Sequence, residues 1–179
     1  MQRILVMGSS GSGKSTFARR LSEATGLPFV SLDALFWKPG WQPSESAVFH
    51  ERVTAAVGQP GWVIDGNYTK GPSGELRRQL ADTIFWFDLP RRTCMTGILS
   101  RIARSYGQVR PEMAEGCPEK IDFEFFRYVW TYRKQQRPAV LQYFEGLRPD
   151  QNFVCFTRRA QADCYLMNLE PAEAPAGNC

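Results

Sequence analysis

The stretch RILVMGSSGSGKST, residues 3–16, constrains this 179-residue chain more than any other. A short apolar run, a loop of glycine and serine, and a helix-compatible run follow one another without a gap. Gly8 to Thr16, GSSGSGKST, satisfies the pattern Gly-x4-Gly-Lys-Ser. Its place after a buried strand and before a helix gives the pattern a structural meaning. The glycines let the backbone curl so that successive N–H groups point inward at phosphate oxygens. A helix opening near Lys14 adds its positive N-terminal end. Lys14 supplies a point charge for the outer phosphates, and the Ser15 hydroxyl a ligand for Mg²⁺. Gly8, Ser9, Ser10, Gly11, Ser12, Gly13, Lys14, Ser15 and Thr16 are therefore expected to hold ATP with its Mg²⁺.

Along the rest of the chain, short apolar runs alternate with helical periodicity, the pattern of a parallel sheet covered by helices. Strands are expected at 3–7, 28–32, 61–65, 83–88 and 152–156. They are nearly continuous in apolar character, as strands buried on both faces require. Helices are expected at 14–25, stopping at Gly26; at 44–57, capped by Ser44 and stopping at Gly58; and at 90–106, opening on Pro90 and burying Ile98, Leu99 and Ile102. A long helical stretch at 119–146 should break at Pro138. The expectation is one α/β domain over residues 1–169, with a lid at about 104–137 and a disordered Pro/Ala-rich tail at 170–179.

Composition narrows the function classes. The formal net charge of +4 suits anionic ligands without the cation density that implies nucleic acid. Five cysteines with no CxxC pair or metal-ligand spacing fit free thiols in a reducing cytosol. No run reaches the roughly 18 apolar residues of a membrane span, and the chain is expected to be cytoplasmic. His50 is the only histidine, so Ser-His or Cys-His chemistry would rest on it alone.

Beyond the phosphate loop, acids at strand ends carry the chemistry. Ligands of open α/β sheets sit outside the carboxyl ends of the strands. Asp65 in WVIDGNY is placed there to hold a Mg²⁺-bound water, with Asn67 and Tyr68 facing an acceptor; the plainer reading is an Asp-Gly turn. Asp33, closing the second strand, faces the same crevice or caps a short helix. Asp88 reads as a cap for the helix at 90–106. Segment 107–118, GQVRPEMAEGCP, has four helix breakers between two helices. The arginines around it (Arg101, Arg104, Arg110, Arg127, Arg133 and Arg137) read singly as a solvated face and together as a lid.

These motifs resemble the small P-loop kinases of the adenylate and shikimate kinase group. Closer still, GSSGSGKST, LDALFWKPGW, WVIDGNY, ADTIFWFDLP, RPEMAEGCPE and the block F-x2-Y-V-W-x-Y at 125–132 are similar to the bacterial topology modulation (FlaR-like) proteins, described as predicted kinases. The resemblance spans about residues 3–160. It implies a five-stranded parallel sheet in the order 2-3-1-4-5, an ATP site at Gly8–Thr16, and a lid near 107–137. It also implies phosphate-binding roles for Arg104, Arg137 and the post-strand Arg158.

Departures from the adenylate kinase pattern bear on the acceptor. Phe36 and Thr69 stand where that pattern has phosphate-binding arginines, although Arg52, Arg77 or Arg78 could substitute. A phosphate acceptor calls for paired guanidinium groups. A shikimate-type kinase instead uses an aspartate after the second strand to hold the acceptor hydroxyl, a role Asp33 fits. The leading expectation is transfer of the γ-phosphoryl group to a hydroxyl of a small molecule set against Phe36 and Trp37, by a monomer or homodimer. A nucleoside monophosphate kinase and a nucleotide-binding regulator acting on DNA are the alternatives.

Overall fold

Burial on both faces orders the sheet. The computed structural model describes residues 1–169; the tail expected to be disordered, 170–179, lies outside the described residues. The elements are β1 (Arg3–Gly8), α1 (Lys14–Thr25), β2 (Phe29–Ser31), α2 (Leu32–Phe36), β3 (Trp37–Lys38), β4 (Gln42–Pro43), α3 (Ser46–Val57), β5 (Trp62–Asp65), α4 (Pro72–Leu80), β6 (Thr83–Phe87), α5 (Arg91–Ser105), α6 (Phe123–Gln135), α7 (Arg137–Glu145), β7 (Asn152–Phe156) and α8 (Arg159–Met167). Strands β2-β5-β1-β6-β7 lie side by side and all pair in parallel. With the small β3–β4 hairpin set aside, this is the expected order 2-3-1-4-5.

Side chains alternate across each strand, so each strand feeds two cores. Ile4 and Val6 of β1, with Phe85 and Phe87 of β6, pack against Phe17 and Leu21 of α1, Ile98 of α5, Val129 of α6 and Leu166 of α8. Leu5, Met7, Ile64 and Trp86 face the other way, onto Phe49 and Val53 of α3 and Val140 of α7. The β-strand carboxyl ends therefore open between two helical layers.

Local chemistry moves several boundaries. Helix α3 begins at Ser46 after Glu45, without a side-chain cap. Ser44 is not the cap, because its N–H donates to Phe36 O at 2.8 Å and closes the hairpin. Leu99 is exposed rather than buried: Ile98 and Ile102, one turn apart, own the inward stripe of α5. The long helical stretch does break, with α6 ending at Gln135 and Pro138 in the first turn of α7, where its missing N–H costs nothing. Helices α4 and α8 and the hairpin were not foreseen.

Candidate functional site

The phosphate loop leaves β1 at Gly8 and enters α1 at Lys14. Gly11 (φ 75°) and Gly13 (φ 102°) take left-handed backbone conformations that side chains resist. Gly11 also admits the neighbouring helix: a Cβ there would lie 2.1 Å from Cys94 O of α5. Gly97 answers it from within α5, since its own Cβ would fall 2.1 Å from Gly11 O. Within the loop Ser12 N donates back to Ser9 O at 3.2 Å, whereas the N–H groups of Gly11, Gly13, Lys14 and Ser15 have no backbone acceptor among the described residues. These free donors at a helix N-terminus form an anion cradle.

Lys14 and Asp65 meet under this loop. Lys14 is 9% and Asp65 3% exposed; Lys14 Nζ lies 3.1 Å from Asp65 Oδ1 and donates to Ser15 Oγ at 3.2 Å. Burial raises the Asp65 pKa, partly countered by the Lys14 charge. Asp65 Oδ1 is buried with no aligned hydrogen-bond donor, a lone pair suited to a water of a cation's hydration shell. Among the described residues no three His, Cys, Asp or Glu side chains gather into a metal site. A Mg²⁺ ion would thus depend on Ser15, on Asp65 through water, and on phosphate oxygens, and the residues present fit such an ion.

Asn67 joins the loop to the sheet. Its Oδ1 accepts from Gly8 N at 2.9 Å, and its Nδ2 donates to Gly8 O at 3.1 Å and to Tyr132 OH at 3.0 Å. Expected to face the acceptor, its amide is instead committed to the Gly8 backbone and to α6. Arg77, fully buried, holds the same turn by donating to Asn67 O (3.1 Å), Tyr68 O (2.7 Å) and Ser73 O (3.1 Å).

Asp33 lies two residues beyond β2, in the first turn of α2, and Ser31 rather than Asp33 caps that helix by accepting from Ala34 N. The Tyr68 hydroxyl donates to Asp33 Oδ1 at 2.7 Å; burial and the Asp33 charge push the Tyr68 pKa well up. Rings surround the pair, with Phe36 centred 5.0 Å from Trp37, 5.3 Å from Phe49 and 4.9 Å from Tyr68. A single cleft of about 1550 Å³ runs from Gly11, Lys14 and Ser15 to Asp33, Phe36, Trp37 and Tyr68.

The 107–118 segment lines this cleft with Arg110, Glu112 and Met113 and rests on the hairpin. Gly40 N donates to Gly116 O at 2.9 Å, the Trp41 indole to Pro118 O at 3.1 Å, and the Cys117 thiol to Lys38 O at 3.2 Å. Behind it runs a charge chain. Arg101 donates twice to Glu119 Oε1 (3.1 and 2.8 Å), Arg110 pairs with Glu119 at 2.8 Å and Glu112 at 3.0 Å, and Arg19 of α1 reaches Glu112 at 3.0 Å.

Two arginine assignments change. Arg137 grips Asp88 with hydrogen bonds of 3.0, 3.1 and 2.8 Å and does not line the cleft, so its guanidinium is not aimed at a phosphate. The same contacts correct Asp88: it anchors α7, and α5 starts at Pro90 without a side-chain cap. Arg158 is exposed and off the cleft. Its neighbour Arg159 lines the cleft instead, donating to Ser12 O at 3.1 Å, Gly11 O at 2.6 Å and Thr93 O at 3.1 Å. Arg104 does line the cleft, with its Nε on Ser100 O at 3.1 Å. Arg101 and Arg110, half-buried at the same wall, are stronger candidates than the sequence suggested.

No family model matches the chain, and no curated protein is similar to it. Solved structures are similar. The shikimate kinase from Acinetobacter baumannii, in complex with shikimate, matches at 18% identity and TM-score 0.55, over 93% of this chain and 92% of that one. The shikimate kinase from Bacteroides thetaiotaomicron matches at 18% and 0.52, over 94% and 95%. A gluconokinase from Sinorhizobium meliloti 1021 matches at 18% and 0.51, over 94% and 93%. At this identity the likeness establishes the architecture: the chain has the α/β fold of small P-loop kinases. No helix among the described residues is long and apolar enough to cross a membrane.

Proposed function

We propose that the protein is an ATP-dependent kinase that transfers the γ-phosphoryl group to a hydroxyl of a small molecule. The observation that carries this reading is the continuous cleft joining the phosphate loop to Asp33. Loop N–H groups and Lys14 hold the phosphates, and Mg²⁺, when bound, neutralises charge on the β- and γ-phosphate oxygens. Asp33, held by Tyr68, accepts the acceptor's O–H and orients its oxygen in line with the γ-phosphorus. The new O–P bond forms as the bond to the leaving phosphate oxygen breaks. The hydroxyl proton passes to the Asp33 carboxylate, and ADP departs with the electron pair. Arg101, Arg104 and Arg110 line the wall from which a lid can stabilise that charge.

A hydroxyl acceptor is favoured over a phosphate because the three arginines that could have substituted face elsewhere. Arg52 donates to Leu35 O at 2.8 Å, Arg77 to three backbone carbonyls, and Arg78 to Tyr143 O at 3.1 Å and to Glu75. None of the three lines the cleft. With ATP and Mg²⁺ present, a panel of nucleoside monophosphates is expected to release no ADP above the acceptor-free rate. Sustained turnover of any one of them would replace this reading with a nucleoside monophosphate kinase. The resemblance to FlaR-like proteins points to the same chemistry, within a cytoplasmic enzyme.

A further inference from the structure

We propose that the acceptor is an uncharged heteroaromatic alcohol, a flat nitrogen-containing ring carrying the hydroxyl that is phosphorylated. This inference rests on the kinase reading and names the substrate class of the same cleft. Three independent features of the acceptor end converge on it.

The first is shape. Phe36, Trp37, Phe49 and Tyr68 all line the cleft around Asp33 and pack on one another edge-on or tilted. A wall of fixed rings stacks a flat guest at little entropic cost, whereas a flexible polyol gains little from it.

The second is charge. An acidic acceptor calls for a guanidinium partner. The nearby Arg52, Arg77 and Arg78 are turned to backbone carbonyls outside the cleft. The arginines that do line the cleft come from α1, α5, the 107–118 segment and α8, and Arg101 and Arg110 there are already paired with Glu119. Lys70 and Lys120 also line the cleft, but Lys70 is exposed to solvent on the loop before α4 and Lys120 pairs with Asp122 at 3.7 Å, so neither is a paired guanidinium site. The carboxylate of Asp33 at the ring wall repels a further anion.

The third is a polar edge. His50 follows Phe49 on α3 and lines the cleft. Its Nδ1 is 3.0 Å from the hydroxyl of Ser73, which is 4% exposed. That anchor fixes the imidazole and leaves Nε2 as the group without a protein partner among the described residues. A ring nitrogen or amide of the guest fits Nε2 while its hydroxyl reaches Asp33. A second hydrogen-bonding point discriminates against a plain hydrocarbon ring, because His50 would then be left unpaired. His50 is thus a specificity residue in this account.

Calorimetric titration of the whole protein, loaded with Mg²⁺ and a non-hydrolysable ATP analogue, tests this. Adenosine, uridine and pyridinemethanol are to be compared with benzyl alcohol, glycerol and gluconate. At least one heteroaromatic alcohol is expected to bind about tenfold or more tightly than benzyl alcohol, glycerol or gluconate. His50→Ala should erase its margin over benzyl alcohol while leaving affinity for the ATP analogue unchanged. Ser73→Ala, which frees the imidazole, should shrink the same margin and serves if His50→Ala does not fold. Tightest binding by glycerol or gluconate, or no binding by the heteroaromatic alcohols to a protein that binds the analogue, overturns the acceptor class and leaves the kinase reading standing. A retained margin in both variants overturns the role of His50. Failure to bind the analogue itself overturns the kinase reading, and the acceptor class falls with it.

Discussion

At the scale of single residues, the site balances a buried ion pair against the ligand it awaits. Lys14 and Asp65 are nearly inaccessible, and removing one partner of such a pair strands the other charge at a cost of about 3–5 kcal/mol. Lys14→Ala is therefore expected to lose both activity and stability. The double variant Lys14→Ala, Asp65→Asn should recover most of the stability, measured by urea unfolding, without recovering phosphoryl transfer. Equal instability of the single and double variants would show that the pair does not carry the cost. Lys14, Ser15 and Asp65 were legible in the sequence because the loop motif and the strand end fix them locally. Asp88 was not. Its partner Arg137 lies 49 residues away, and nothing near Asp88 announces it. The shift from Arg158 to Arg159 has a similar cause: adjacent residues at a strand end point to different sides, and only the packed α8 shows which faces the loop.

At the scale of elements, strands buried on both faces were readable as continuous apolar runs. The missed pieces are those whose stability comes from partners. Helix α4 begins Pro-Ser-Gly, which reads as loop, and is tied to α7 by Tyr143 OH donating to Gly74 O at 2.9 Å. The hairpin has two residues per strand and needs Trp41 at φ 61°; its contacts with the lid loop hold it. Trp37 and Trp41 therefore divide roles, one at the ring wall of the cleft and one as a post for the lid. Asp82 ties β6 to β1 by accepting from Gln2 N at 2.6 Å and Arg3 N at 2.8 Å. Burial alone would raise its pKa, but hydrogen bonds from Thr83, Arg3 and Gln2 outweigh it and hold the pKa below the ordinary value of 3.8. A depressed carboxyl contributes stability above its unfolded pKa and loses it as pH falls through the folded one. Asp82→Asn is accordingly expected to lower stability at neutral pH and to flatten its fall below about pH 4, in urea melts across that range. An unchanged acid slope would remove Asp82 from the account.

At the scale of the whole molecule, the parallel sheet sets the phosphate loop, Asp65 and Asp33 along one edge, and the 107–118 segment reaches from Arg19 of α1, through Glu112, to the hairpin. The parallel sheet was foreseeable from strand patterning and the loop from its motif, whereas the strand order came from the resemblance to small P-loop kinases. The lid's resting place was not, because it is set by Arg101, Arg110, Glu112 and Glu119 meeting across the chain. The central claim is that this cleft moves a phosphoryl group from ATP to a hydroxyl held by Asp33. Phosphorus NMR of the protein with ATP, Mg²⁺ and a pool of hydroxyl compounds that includes nucleosides tests it most directly. A new phosphate monoester signal that grows with ADP in the wild type, and is absent with Lys14→Ala and strongly reduced with Asp33→Asn, is the result expected. ATP consumed only to inorganic phosphate or a new phosphoanhydride, or a monoester formed at full rate by Asp33→Asn, would contradict it.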